Sequence, residues 1–239
     1  MKYVAEQDRK FTDMGGVKIH HSIYPVVYPV SDNGWGPVIR FDNKHILAGG
    51  QEVQCFAGNP VQIVRMMVNG TASYYDSSGY RAVLNNNDIL LINTGNEALQ
   101  SVLNNAEETE DNELIEIWLQ SEDPEKKYEF YSAPPKRETG RFYNLIALEQ
   151  TSSENDGQKI GLRIGSFAGG GNHEIIKQPA GHSVILFVLN GSVTANGSRL
   201  AYRDTMIFCD SEINLEFERA ADIFLMEVET AKINKGVIK

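Results

Sequence analysis

The chain has 239 residues, enough for one large or two small domains that each bury a core. Hydrophobic residues make up 41% and charged residues 23%, ordinary for a soluble globular protein. A net charge of −10 repels polyanions, which argues against nucleic acid and against an anionic membrane as partners.

The opening "MKYVAEQDRKFTDMGG" carries no signal-peptide core, and no apolar run reaches the roughly 18 residues of a membrane span, so a cytoplasmic protein is expected. His20 and His21 are adjacent. In a strand they point to opposite faces, one at the surface and one packed. "WGPVIRFDNKHILAGG" (35–50) reads as an opening strand and turn, with His45 beside the turn. From there the pattern is β almost throughout. "VQIVRMMV" (61–68), "TASYYD" (71–76), "DILLIN" (88–93) and "ELIEIWLQ" (113–120) are short and rich in β-branched and aromatic residues. "SSG" (77–79) and "NNND" (85–88) between them are tight-turn chemistry, and Asp76 is expected to cap its turn through backbone N–H groups. "EETEDNE" (107–113) reads as a solvated loop, no place for a carboxylate of raised pKa. "EDPEKKYEFY" (122–131) could hold one short helix at best. The charged, proline-bearing stretch 121–140, with Pro124, Pro134 and Pro135, reads as a linker.

In the second half, "ENDGQK" (154–159) is a turn. "FAGGGN" (167–172) lacks the Lys-Ser/Thr of a P-loop and reads as a loop. "IVRMMVNGTASYYDSSG" in the first half answers "VILFVLNGSVTANGSRL" in the second, each an apolar strand, an Asn-Gly turn and a further strand, with Gly70 and Gly191 matching. Two copies of one β unit follow, the first over 1–133 and the second over 134–239, with cores at 35–120 and about 140–229. Cys55 and Cys209 sit in no C-x-x-C pair and have no basic neighbour to lower their pKa. They read as small, partly buried apolar residues.

Three stretches, "WGPVIRFDNKHILAGG", "VQIVRMMVNGTASYYDSSGY" and "GHSVILFVLNGSVTANG", are similar to the opening strand, central hairpin and second-unit strand of pirin-type bicupins. Asp76-Ser77-x-Gly79 is the most specific piece, and among pirin relatives the chain resembles the YhaK type most. The resemblance implies an all-β bicupin: two tandem cupin β-barrels of the double-stranded β-helix, or jelly-roll, type, with a small-molecule-sized pocket in the first. Metal-binding members carry a His-x-His pair before the central strand and a His and a Glu after it. Carried onto this chain, those four slots read Phe56, Gly58, Gln100 and Val102, of which only Gln100 could offer a weak amide oxygen. No His lies between positions 46 and 172, so the first barrel has no imidazole of its own for a metal. His45 alone could reach that cavity, and one imidazole is not a metal site. His173, Glu174 and His182 in the second half lack a further His to complete a constellation.

Two classes of function follow. The first is a metal-free, non-catalytic, ligand-binding or regulatory protein without cofactor, its cavity lined by candidates Gln62, Arg65, Tyr74, Gln100 and His45 and holding a small molecule, an anion or water. Strand parity allows at most one of Gln62 and Arg65 to point inward. The alternative is a metal-dependent oxidoreductase of the quercetin 2,3-dioxygenase type, which needs the redox metal that those slots do not supply. Beside these two classes stands a blander possibility, an interaction scaffold with no ligand. Monomer and homodimer both stay open.

Overall fold

Alternation along single strands sets the architecture. In Val61–Asn69, Ile63, Arg65 and Met67 point one way while Val64 and Met66 point the other, and both faces are buried. A strand apolar on both sides needs a layer above and a layer below it. The computed structural model describes residues 2–23, 37–56, 60–105, 107–121, 123–132, 138–146 and 160–229.

Among the described residues the first half contains β1 (Lys2–Val4), a 3-10 turn (Glu6–Asp8), β2 (Lys10–Asp13), β3 (Val17–Ile23), β4 (Val38–Ile46), β5 (Gln51–Phe56) and β6 (Val61–Asn69). It continues with β7 (Ala72–Asp76), β8 (Arg81–Leu84), β9 (Ile89–Asn93), β10 (Leu99–Asn105), β11 (Asn112–Gln120) and β12 (Lys127–Tyr131). The second half contains β13 (Arg141–Ile146), β14 (Ile160–Phe167), β15 (Asn172–Ile176) and β16 (His182–Ala195). It ends with β17 (Ser198–Ala201), β18 (Thr205–Cys209), β19 (Ile213–Phe217) and β20 (Ala221–Glu229). No helix among them is long and apolar enough to cross a membrane. Within 122–131, expected to hold one short helix at best, Lys127–Tyr131 instead form β12, because Lys-Tyr-Glu-Phe-Tyr favours a pleated surface and pairs with β9. The turn expected at 154–159 lies outside the described residues.

The first unit is a sandwich. A seven-stranded sheet, β12-β9-β6-β11-β4-β3-β2, faces a four-stranded sheet, β5-β10-β7-β8. The second unit repeats the pairing. Its larger layer runs β1-β18-β16-β20-β14-β13, its smaller one joins β15, β19, β16 and β17, and the long β16 passes from one to the other. Strands β4, β6, β9 and β11 thus correspond to β14, β16, β18 and β20, as the internal repeat requires. Both units are open sandwiches of the jelly-roll kind rather than closed barrels. Lys2–Val4, expected with the first unit, pairs antiparallel with β18 at the edge of the second.

Gly70 and Gly191 hold equivalent places. Their φ angles are +90° and +74°, and a Cβ would fall 1.9 Å from Asn112 Oδ1 at the first and 2.0 Å from the Ala220 carbonyl at the second. In each unit the turn glycine makes room for the chain entering the last long strand, β11 or β20.

Three cores result. One fills the first sandwich, around Ile19, Ile63, Met67, Leu90 and Leu103. A second fills the other sandwich, around Val184, Leu186, Phe208 and Leu225. The third is a seam where the two large sheets pack back to back, with Phe41, Met66 and Ile117 against Phe187, Phe224 and Met226.

Candidate functional site

The interior of the first sandwich is lined by charge. Strand β4 directs Arg40, Asp42 and Lys44 inward, β5 directs Glu52, Gln54 and Phe56, and β6 directs Arg65 between Ile63 and Met67. Strand β10 contributes Leu99, Ser101 and Leu103, and β11 contributes Leu114, Glu116 and Trp118. Three of these positions and His21 of β3 stand directly opposite one another across β3, β4, β11 and β6, making one row of His21, Asp42, Glu116 and Arg65.

Glu116, wholly buried, is the hub. Its Oε1 accepts from Lys44 Nζ at 2.6 Å, from Trp118 Nε1 at 2.7 Å and from Gln54 Nε2 at 3.0 Å. Its Oε2 accepts from Arg65 Nε at 2.8 Å. Lys44 also donates to Glu52 at 2.6 Å, and Arg65 Nη2 donates to Gln54 Oε1 at 2.6 Å. Asp42 is paired with Arg40 and with His21 Nδ1 at 2.6 Å, and His21 Nε2 meets the Thr12 hydroxyl at 3.0 Å. Arg40 lies over the Trp118 ring at 4.8 Å, and Phe56 packs on the same indole at 5.1 Å. Three cations (Arg40, Lys44, Arg65) therefore balance three carboxylates (Asp42, Glu52, Glu116). Burial alone would push the Glu116 carboxyl up, but Lys44, Arg65 and Arg40 outweigh it and hold it well below the usual carboxylate range. Burial opposes the Arg65 charge as well, and Glu116 and Glu52 restore it and raise the guanidinium further. Two buried atoms in this set have no hydrogen-bond partner among the described residues, the donor Arg65 Nη1 and the acceptor Glu52 Oε2.

A second polar cluster stands at the rim. Asp76 Oδ1 accepts from Ser78 N at 2.9 Å and Ser78 Oγ at 2.6 Å, the local cap expected of it. Its Oδ2 accepts from the Tyr74 hydroxyl at 2.9 Å and the Tyr128 hydroxyl at 2.6 Å, and Tyr80 stacks on Tyr128 at 4.0 Å. Burial pushes the Asp76 carboxyl up, yet the bonds from Ser78, Tyr128 and Tyr74 prevail and lower it. Tyr74 also borders a surface groove of about 540 Å³ with Ser73, Tyr75, Arg81, Ala82 and Val83.

Of the expected cavity residues, Arg65 and Tyr74 are brought together, with the guanidinium carbon 5.3 Å from the Tyr74 ring centre. The others are not. Gln62 falls on the opposite face of β6 from Arg65, as parity demands. Gln100 is exposed on the outer face of β10, and Val102 stands there too, across from Val53. The inward positions are one residue away, at Leu99, Ser101 and Leu103, because a one-residue slip turns every side chain of a strand over. Phe56 does point inward, and Gly58 lies outside the described residues. His45 lies on the seam side of β4, its Nε2 3.8 Å from Glu113. In the second half His182 Nδ1 lies 3.1 Å from Glu227 on β20, whereas His173 is exposed on β15 across from Glu216, so the two histidines do not converge. Cys55, expected to be partly buried, is exposed on the outer face of β5.

Sequence reasoning missed Glu116, Lys44, Glu52, Gln54, Asp42 and His21. The signal was present as period-two polarity in "RFDNK" and "EVQ", and as the lone acid in the apolar run "LIEIWL". Chemically the arrangement is closed: its carboxylates are engaged by cations, and the Ser101 hydroxyl lies 3.4 Å from Arg65 with no base beside it.

Neither a protein-family profile nor a curated protein matches the sequence. Solved structures do match in fold. The bacterial pirin YhhW from Escherichia coli, in complex with nickel(II), aligns with a TM-score of 0.79 at 17% identity, over 96% of this chain and 99% of that one. Quercetin 2,3-dioxygenase from Acinetobacter baumannii aligns with 0.77 at 14% identity, over 96% and 86%. YhaK from Escherichia coli aligns with 0.64 at 16% identity, over 94% and 95%. The chain thus has the pirin-like bicupin fold over nearly its whole length.

Proposed function

We propose that this bicupin is a cytoplasmic small-ligand-binding or regulatory protein whose first sandwich holds a fixed ion-pair network and no resident metal. The observation that carries the reading is the Arg65 guanidinium, bonded to Glu116 within the interior. A divalent cation there would face two fixed positive charges, Arg65 and Lys44, and would have to strip Glu116 and Glu52 from them. Among the described residues no three of His, Cys, Asp and Glu are placed to hold a metal. The donor set therefore does not fit the metal implied by the fold. The unpaired Arg65 Nη1 and Glu52 Oε2 favour a guest that both accepts and donates a hydrogen bond, neutral because the network is already balanced.

Oxygenase chemistry of the quercetin 2,3-dioxygenase type rests on likeness to the Acinetobacter enzyme, and at 14% identity that likeness concerns fold. The test is elemental analysis of protein purified without chelator or histidine tag, then a quercetin turnover assay with iron, copper, manganese or nickel added. Substoichiometric metal and no turnover are expected. Metal near one equivalent that survives dialysis, or turnover that scales with added metal, would defeat the proposal.

A further inference from the structure

The chain passes between the units near its start. Strand β1 edges the sheet of the second unit, β2 edges that of the first, and the turn Glu6–Asp8 joins them, ending at Arg9. The Arg9 side chain is fully buried, with its guanidinium 5.8 Å from the ring of Phe187 in the seam core. All three of its nitrogens are sealed from solvent, and none has a hydrogen-bond partner among the described residues. The nearest carboxylate oxygen, Glu6 Oε1, stands at 3.9 Å, beyond hydrogen-bond reach, on a side chain 39% exposed.

The surrounding carboxylates are already engaged. Glu6 Oε1 meets Arg203 Nη1 at 3.5 Å. Glu113 Oε1 accepts from Asn43 at 2.8 Å and from Arg203 Nε at 3.3 Å. Asp204 accepts from the Tyr3 hydroxyl and from the backbone N–H groups of Glu6 and Ala201. His45 Nε2, also buried, has no hydrogen-bond partner among the described residues either. Burial and the positive charges of Arg9 and Arg203 hold His20 and His45 below the ordinary histidine range, although Glu113 works against this at His45. A buried guanidinium with five N–H donors and no acceptor among the described residues carries a heavy desolvation cost, the kind that structures relieve with an ordered ion or water.

We propose that the seam is an anion site. A small monoanion, a halide or a formate-sized carboxylate, is held chiefly by Arg9, with His45 Nε2 as a second donor when that nitrogen carries the proton. The enclosure of the guanidinium excludes any ligand with a solvent-exposed tail. The site is separate from the interior of the first sandwich, because His45 and Arg65 stand on opposite faces of the large sheet.

The test is thermal unfolding of the full chain at constant ionic strength, with bromide, chloride or formate replacing gluconate, which is too large to enter. The expected result is a Tm rising by about 3–5 °C per tenfold anion above its Kd. The rise should be absent in Arg9→Met, which keeps the side chain's bulk and removes its charge. The halide and formate arms separate the two kinds of monoanion. Crystals of the unaltered protein grown in bromide should show an anomalous peak within hydrogen-bonding distance of the guanidinium, a readout that stands even if Arg9→Met does not fold. Coincident curves for all anions, an undiminished response in Arg9→Met, or water in place of bromide at Arg9 would overturn the proposal.

Discussion

Replacing Glu116 by Gln keeps the shape of the hub and removes its charge. In the native interior three cations face three carboxylates; in the variant Arg40, Lys44 and Arg65 face only Asp42 and Glu52. One of the new amide's two heavy atoms is a donor, and it must be turned toward Lys44 and Trp118 or toward Arg65, all of them donors. Removing one partner of a fully buried ion pair costs about 3–5 kcal/mol, a large share of the 5–15 kcal/mol that holds a domain together. For a chain of this size the loss should appear as a fall in Tm of about 6–20 °C. Urea unfolding should show a lower midpoint at unchanged slope. Adding Lys44→Met restores neutrality, so the double variant should lose at least about 1 kcal/mol less than the sum of the two single losses. The pH dependence has a definite sign. The folded Glu116 carboxyl is held below its unfolded value of about 4.3, so its contribution is complete above that pH and disappears as pH falls toward the folded value. Glu116→Gln should therefore have a flatter stability profile in acid than the native chain. A loss under about 1 kcal/mol at neutral pH, or parallel acid profiles, would refute the assignment of Glu116 as the charge hub.

Gly191→Ala should destabilise by more than about 1 kcal/mol, since the new methyl falls 2.0 Å from the Ala220 carbonyl at a φ of +74°, and Gly70→Ala should match it; chemical denaturation of each variant reads this directly. Gly79→Ala is the control, because its φ is also positive but nothing lies within 4 Å of the added atom, so its loss should be smaller. Asp76→Ala should cost about 1–3 kcal/mol by removing the turn cap and leaving two tyrosine hydroxyls without their acceptor. The same variant should lower the titration of Tyr128, which burial and then its bond to Asp76 hold above the ordinary phenol range; ultraviolet titration checks it.

The fold was legible because its signals are local. The Asn-Gly turns at Gly70 and Gly191, the β-branched runs and the repeat between halves each depend on near neighbours in the chain, and the two units share one pairing scheme. The site was only half legible. Arg65 stood out as a charge in an apolar strand, but its partner Glu116 comes from a strand 51 residues away, and a single sequence does not show which strands face each other. Gln100 failed for a different reason. Its neighbourhood was right, yet inward and outward positions alternate along β10, so an offset of one residue exchanged Ser101 for an exposed amide. β12 was misread because its charges suggested a linker, whereas Tyr128 and Tyr131 give it two rows of contact, to the rim tyrosines and to the seam.

The pairing of β1 with β18 has a temporal meaning. Strand β12 closes the edge of the first unit beside β9, and it follows that unit directly in the chain. Its counterpart beside β18 is β1, with Lys2 across from Ile207. The tandem repeat is in this sense circular, with a strand that precedes the first unit completing the second. During synthesis β1 leaves the ribosome well before β18, and more than 200 residues must follow it before its pairing site exists. The second sandwich is thus sealed by a strand made before the first sandwich, and the entropy of closing so long a loop weighs on that pairing.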